Sequence, residues 1–188
     1  MTAPPSSVAP PMVLVLAAGR GERFAASGGR THKLQALLAG KPVLQHVLDA
    51  VAASGLPHHL VQPGPAQPGM GDSIAAGVRA TAGAAGWLVL PGDLPLIQPA
   101  TLRAVAQALV QHPAVVPVHA GERGHPVGFA AACGPDLARL EGNQGAARVL
   151  RAWGAIELIA DDVGTVTDID TVDDLARAEA LLAARSAG

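Results

Sequence analysis

The sequence predicts an α/β fold, a three-layer sandwich with an open, mainly parallel Rossmann-like sheet covered by helices on both faces. Two observations predict it. Short apolar runs, MVLVLA at 12–17 and GWLVLPGDLPL at 86–96, end in glycine, as strands buried on both faces do. Between and after them lie segments whose apolar residues recur at helical spacing. Composition agrees: the chain is 49% hydrophobic and 15% charged, which excludes a disordered chain, and 2% aromatic with no tyrosine, so Ala, Val and Leu must pack the core.

The elements follow in order. Residues 1–11, MTAPPSSVAPP, read as a flexible tail before a single domain over 12–188. The first strand, 12–17, runs into a glycine-rich loop. Pro42 then opens the helix VLQHVLDAVAAS, where Val43, Val47 and Val51 share a face and Gly55 is the stop. A weak strand, HHLVQ, precedes the proline–glycine stretch PGPAQPGMG and a helix from about Ser73 to Ala82. The strand at 86–96 has a polar tip, and Pro99 starts the next helix, ATLRAVAQALVQH. Strands at AVVPV and PVGFAA, a helix around GAARVLRAWG and a strand AIELIA follow. The last helix begins at Thr171, with Asp174 completing a capping box and Leu175, Ala178 and Leu182 on one face. Trp87, Trp153 and Cys133 are expected in the core.

Charge and cysteine usage narrow the function. A net charge of -2 gives no general attraction to nucleic acid or an anionic membrane. Cys133 is the only cysteine, so neither an internal disulfide nor a thiolate metal cluster is available, and a cytoplasmic setting fits. No secretory signal or membrane-spanning run is present. His32, His58 and His59 lack ligand spacing with acidic partners.

The stretch LAAGRGERFAASGGRTHKL, 16–34, concentrates bare backbone and positive charge at the end of the first strand. It admits a dinucleotide site, an ATPase phosphate loop or a nucleotidyl-transfer site. Gly19 and Gly21 begin G-x-G-x-x-G, but the third glycine falls on Phe24, and no acidic ribose partner stands near 38–42, LAGKP. G-x-x-x-x-G-K-[ST] is absent, because Lys33 is followed by leucine. A glycine loop remains, able to bring backbone N–H groups to phosphates with Arg23 and Lys33 beside them; the bland alternative is a solvated surface loop. Ligands of open α/β sheets sit at the carboxyl ends of strands, which brings 18–33, 92–95 and 168–171 to one edge.

These residues resemble the molybdenum cofactor cytidylyltransferases, within the nucleotidyltransferases that include the molybdopterin guanylyltransferases. The resemblance rests on LAAGRGERF (16–24), HKL (32–34), GKPVL (40–44), GMGDSIAAGV (69–78), LPGDLP (90–95), GHPVGF (124–129) and DIDTVDDL (168–175) in order. It implies a fold of the nucleotide-diphospho-sugar transferase type and transfer of CMP from CTP to the phosphate of molybdopterin, with loss of pyrophosphate. Catalysis there needs alignment, cations and Mg²⁺ more than a covalent nucleophile. The resemblance implies nucleotide binding by Leu16, Ala17, Ala18, Gly19, Gly21, Arg23, Lys33, Gly71, Ser73 and Asp93, catalysis by Arg23, Lys33 and Asp93, and acceptor binding by His125. It places Mg²⁺ on Asp93 and on Asp170, with Asp168 as the lesser alternative. Each residue also has a plain reading: Asp93 a turn before Pro95, Asp170 part of the helix cap, GMGDSIAAGV a tightly packed helix start, His125 a turn before Pro126. Members using GTP carry a second glycine where Ala18 stands, so the Ala18 methyl is expected to narrow the base pocket toward a pyrimidine.

The chain departs from the family pattern in two places. AASGGRTH lengthens the segment from Arg23 to Lys33, which suggests a mobile loop in which Arg30 shares the phosphate role. Asn143 stands where relatives show aspartate, which bears on the acceptor. Two rival readings stay open: guanylyl transfer or transfer to a sugar phosphate or other small phosphorylated acceptor, and a non-catalytic molybdopterin carrier. Transient contact with a molybdoenzyme or its maturation factor goes with either.

Overall fold

The structure, a computed structural model, describes residues 9–19, 21–62, 64 and 69–187. Most of the expected tail, Arg20 and most of the proline–glycine stretch lie outside them. The chain runs β1 (Met12–Leu16), α1 (Glu22–Ala26), β2 (Leu37–Leu38), β3 (Lys41–Pro42), α2 (Val43–Ser54), β4 (His58–Val61), α3 (Met70–Ala80), β5 (Gly86–Pro91), α4 (Pro99–Ala108), β6 (Ala114–His119), β7 (Glu122–Arg123), β8 (Val127–Ala130), α5 (Gly134–Leu137), α6 (Ala147–Ala152), β9 (Ile156–Ile159) and α7 (Val172–Ala187). Among the described residues no helix is long and apolar enough to cross a membrane.

Seven strands form the main sheet in the order β4-β1-β5-β8-β6-β7, with β9 on the other side of β6. The strands β4, β1, β5, β6 and β9 point one way, while β8 and β7 run against them. The sheet is therefore mixed but mostly parallel. The reversed β8 is reached from β6 through β7, a return short enough to need no crossover helix.

Alternation along β1 shows how the layers form. Val13 and Val15 pack with Val47 and Val51 of α2 and Leu102 and Val105 of α4. Leu14 and Leu16 face the opposite layer, with Ile74 and Val78 of α3, Leu137 of α5 and Val149 of α6. All four β1 side chains are at most 8% exposed, and full burial of each stabilises the fold by about 1.5–3 kcal/mol. On the second face α3 comes very close to the sheet. A Cβ at Gly77 would lie 2.9 Å from Val61 Cγ2 and 3.1 Å from Leu14 Cδ1, so only a bare backbone fits there.

A third cluster sits at the edge of the sheet, where Phe24, Leu34, Leu38, Val43 and Ile169 pack with Ala178, Leu175 and Leu182 of α7. Asp162 secures the same end of the molecule. This 2% exposed carboxylate accepts hydrogen bonds from Gln98 N, Thr101 Oγ1 (2.7 Å) and Gly164 N, and pairs with Arg185 of α7 at 3.2 Å. The Asp162 group joins the start of α4 to the end of α7.

α3 begins at Met70, three residues before the expected start, because Asp72 caps its first turn by accepting from Gly69 N at 3.1 Å. Trp87 is buried, as expected, whereas Trp153 is half-buried and donates Nε1–H to Asp136. Cys133 is buried and donates to Pro113 O.

Candidate active site

Strand ends bring the polar residues together. β1 ends at Leu16, β5 at Pro91, and Asp93 follows in a turn whose carbonyl accepts from Ile169 N at 2.9 Å. That bond lays the 168–171 segment beside the β5 tip. Gly92 sits across from Leu16, its N–H donating to Leu16 O at 2.9 Å. Asp170 N and Thr171 N both donate to Asp174 Oδ2, so the cap of α7 also fixes the backbone of Asp170.

Lys33 lies at the centre of this edge, in a short 3-10 turn over Lys33–Gln35. Its ammonium is 2.6 Å from Asp93 Oδ2 and 2.8 Å from Asp170 Oδ1, while Arg23 reaches Asp170 Oδ2 at 2.7 Å. The Lys33 side chain is 11% exposed and that of Arg23 76%, so the pair presents one buried and one solvated cation. Burial alone lowers the Lys33 pKa, but the two carboxylates outweigh it and hold the value above the ordinary one. Burial likewise pushes the Asp170 carboxyl up, and the Lys33 and Arg23 contacts reverse the sign, leaving it below its ordinary range. Asp168, pushed up by burial and by the charge of Asp170 beside it, is the carboxylate in the group that holds a proton more readily. One Asp93 oxygen, Oδ1, is buried without a hydrogen-bond partner among the described residues.

Several contacts tie the segment between Arg23 and Lys33 to the rest of the fold. Residues 22–26 coil into α1, which buries Phe24 at 2% exposure. Ser27 Oγ accepts from Val172 N at 3.0 Å, and the His32 ring meets Gly19 O at 2.6 Å. Gly29 leaves room for Phe24, since a Cβ there would fall 2.2 Å from Cδ1 of its ring. The position that failed the dinucleotide pattern is thus the one that holds the loop to the core. Arg30 lies on the exposed turn that follows α1.

Two connected hollows flank Lys33. One, about 350 Å³, is lined by Leu16, Ala18, Arg23, Ser73, Asp93 and His125, with Asp168 and Asp170. The second, about 620 Å³, lies between the glycine loop and α3, with Gly19, Gly21, Met70 and Asn143 in its walls. Ala17 is buried behind them, its N–H donating to Val61 O. Gly21 adopts φ +64, a left-handed conformation suited to glycine, at the N-terminus of α1.

Other expected residues stand differently. Gly71 is packed against the backbone of 141–144: its N–H donates to Gly142 O at 2.8 Å, and an added Cβ would lie 2.7 Å from Gln144 O. Ser73 is fully buried and donates to Gly69 O. Asn143 belongs to the hollow beside the glycine loop, away from His125. His125 is anchored by N–H donation to Thr165 O, and its peptide bond to Pro126 is cis. Burial lowers its pKa against the attraction of Asp93, so the neutral ring is favoured, and its Nδ1 is buried without a hydrogen-bond partner.

A third cavity, missed in the sequence, opens beyond His125. It measures about 490 Å³, lies between α3 and α6 over the sheet, and contains Arg123 and Arg151. Its residues come from six separate stretches of chain, and no motif joins them.

A glycine loop, a lysine–carboxylate centre and strand-end hollows thus meet at one edge of this sheet. The chain belongs to the MobA-like NTP transferase domain family, which it matches over residues 13–158. The bifunctional protein GlmU of Desulfitobacterium hafniense is 32% identical over 118 residues, covering 53% of this chain and 25% of that protein. The purine catabolism protein PucB of Bacillus subtilis is 34% identical over 115 residues, 58% of this chain and 55% of PucB. The chain thus matches between a quarter and about half the length of these relatives. Among solved structures, Rv0371c of Mycobacterium tuberculosis superimposes with a TM-score of 0.71 at 25% identity, covering 91% of this chain and 97% of that one. Molybdopterin-guanine dinucleotide biosynthesis protein A of Archaeoglobus fulgidus shares the fold, with a TM-score of 0.67 at 20% identity over 92% of this chain and 98% of that one.

Proposed function

We propose that this nucleotidyltransferase moves CMP from CTP to the terminal phosphate of molybdopterin, in the cytoplasm, and releases pyrophosphate. The observation that supports it most is Lys33 held between Asp93 and Asp170 beside the glycine loop. An oxygen of the acceptor phosphate attacks the α-phosphorus of CTP; the new P–O bond forms as the bond to the β-phosphate breaks, and the electron pair leaves with pyrophosphate. Backbone at 18–21 receives the triphosphate, Lys33 and Arg23 stabilise the charge that gathers on it, and neutral His125 lies on the acceptor side.

The residues fit Mg²⁺. Asp93 has a buried oxygen with no partner, and carboxylates are the hard donors this ion takes. Asp93 and Asp170, both at the Lys33 ammonium, would hold the ion together with substrate oxygens. When bound, Mg²⁺ would neutralise charge on the triphosphate and leaving group.

Pyrophosphate release from CTP with Mg²⁺ and molybdopterin, in wild type and Asp93→Ala, tests this reading. The variant is expected to lose roughly 10²-fold or more in rate, the scale of a lost transition-state contact. An unchanged rate would remove Asp93 from the chemistry; no release from any triphosphate would favour the carrier reading.

A further inference from the structure

His32 stands between the glycine loop and the turn that carries Lys33, and its two ring nitrogens serve one each. Nδ1 accepts from Leu34 N at 3.3 Å and so caps the 3-10 turn that begins at Lys33. An acceptor at Nδ1 leaves the proton of the neutral ring on Nε2, which donates to Gly19 O at 2.6 Å. The His32 carbonyl closes the same turn, accepting from Gln35 N at 2.8 Å and from Ala36 N at 3.1 Å. The ring meets the loop at a second point as well, since a Cβ at Gly21 would lie 3.5 Å from its Cδ2. His32 is not among the described residues that line the two hollows.

We infer that His32 is a positioning residue for the triphosphate, a latch that holds the glycine loop to the Lys33 turn. This role rests on the nucleotidyl-transfer reading and deepens it. Glycine lets a phosphate approach the backbone closely, but it also has the most conformational freedom to lose when a ligand orders it. The bond to Gly19 O removes part of that freedom before the ligand arrives, which is how preorganisation strengthens binding. It also engages that carbonyl with a donor outside both hollows, so its partial negative charge is not offered to a phosphate. The same ring fixes the turn from which Lys33 reaches Asp93 and Asp170, at 2.6 and 2.8 Å. Loop donors and ammonium are thereby set at one spacing by a side chain that touches neither phosphate nor metal.

Two substitutions separate the two nitrogens. An asparagine carboxamide has the reach of Nδ1, and a glutamine carboxamide has the reach of Nε2. His32→Asn therefore keeps the cap on the turn, a position that suits asparagine, and loses Gly19 O. His32→Gln keeps the bond to Gly19 O and loses the cap. Inorganic tripolyphosphate and CTP, each with Mn²⁺, are titrated by calorimetry into the full chain and into both variants. His32→Asn is expected to weaken both probes about tenfold, the scale of one hydrogen bond's net contribution, with the urea midpoint of the wild type. His32→Gln is expected to hold both affinities within about threefold, a rescue that a purely structural role in the turn would not give. Wild-type affinity in His32→Asn, or an equal loss in His32→Gln, would overturn the assignment. Tripolyphosphate binding without CTP binding in the wild type would defeat the nucleotidyl-transfer reading alone, because the tripolyphosphate arm still decides the role of His32. Binding of neither probe would overturn both.

Discussion

Ala18 and Lys33 show how much a single side chain decides at this site. Ala18 lines both hollows beside Lys33, where, on the proposed reading, its methyl group would take space from a bound base. A single methylene-sized change in a pocket is worth about 1–3 kcal/mol in discrimination. Ala18→Gly is therefore expected to lower the CTP-to-GTP ratio of kcat/KM by roughly tenfold or more; the same ratio in both proteins would end the argument. Lys33 was legible in the sequence because HKL follows a glycine loop. Its two carboxylate partners, 60 and 137 residues away, were legible only as tips of separate strands.

At the scale of elements, α7 illustrates what local sequence can specify. Thr171 Oγ1 accepts from Asp174 N at 3.2 Å and Asp174 Oδ2 accepts from Thr171 N at 2.7 Å, the reciprocal pair expected from the spacing. Arg177 also contacts Asp174. Burial raises the Asp174 pKa, but the bonds from Thr171 and Asp170 and the charge of Arg177 lower it further, so the net shift is downward. The cap therefore contributes stability that is complete above the ordinary value of 3.8 and is lost as pH falls through the lower folded value. Asp174→Ala is expected to cost about 1 kcal/mol in urea unfolding at pH 7 and much less near pH 2. An equal cost at both values would refute the cap's charge. Short or unusual elements were harder to read. α1 has five residues, too few for a periodic signal, and its place depends on Phe24 finding a slot beside Gly29. The reversed direction of β8 is likewise a property of pairing with β5 and β6, and PVGFAA looks the same either way.

Across the whole molecule, the cations that the proposed reading gives to phosphate, Arg23 and Lys33, are paired with the carboxylates it gives to the metal, Asp93 and Asp170. Neither ligand can engage fully without breaking contacts that the other would replace, so their binding should be coupled, and equally in both directions. Mg²⁺ and CTP together are expected to raise Tm by more than the sum of their separate effects, reflecting a coupling of about 1–3 kcal/mol. Strictly additive shifts would exclude it. The two faces of the sheet also differ in kind. The side covered by α2 and α4 is a solid aliphatic layer, while the side covered by α3 and α6 contains the large cavity. Ile74, Val89, Val116 and Val127 belong both to the core of that face and to the cavity wall, so a substitution that reshapes the cavity also draws on the packing that holds α3 and α6 to the sheet.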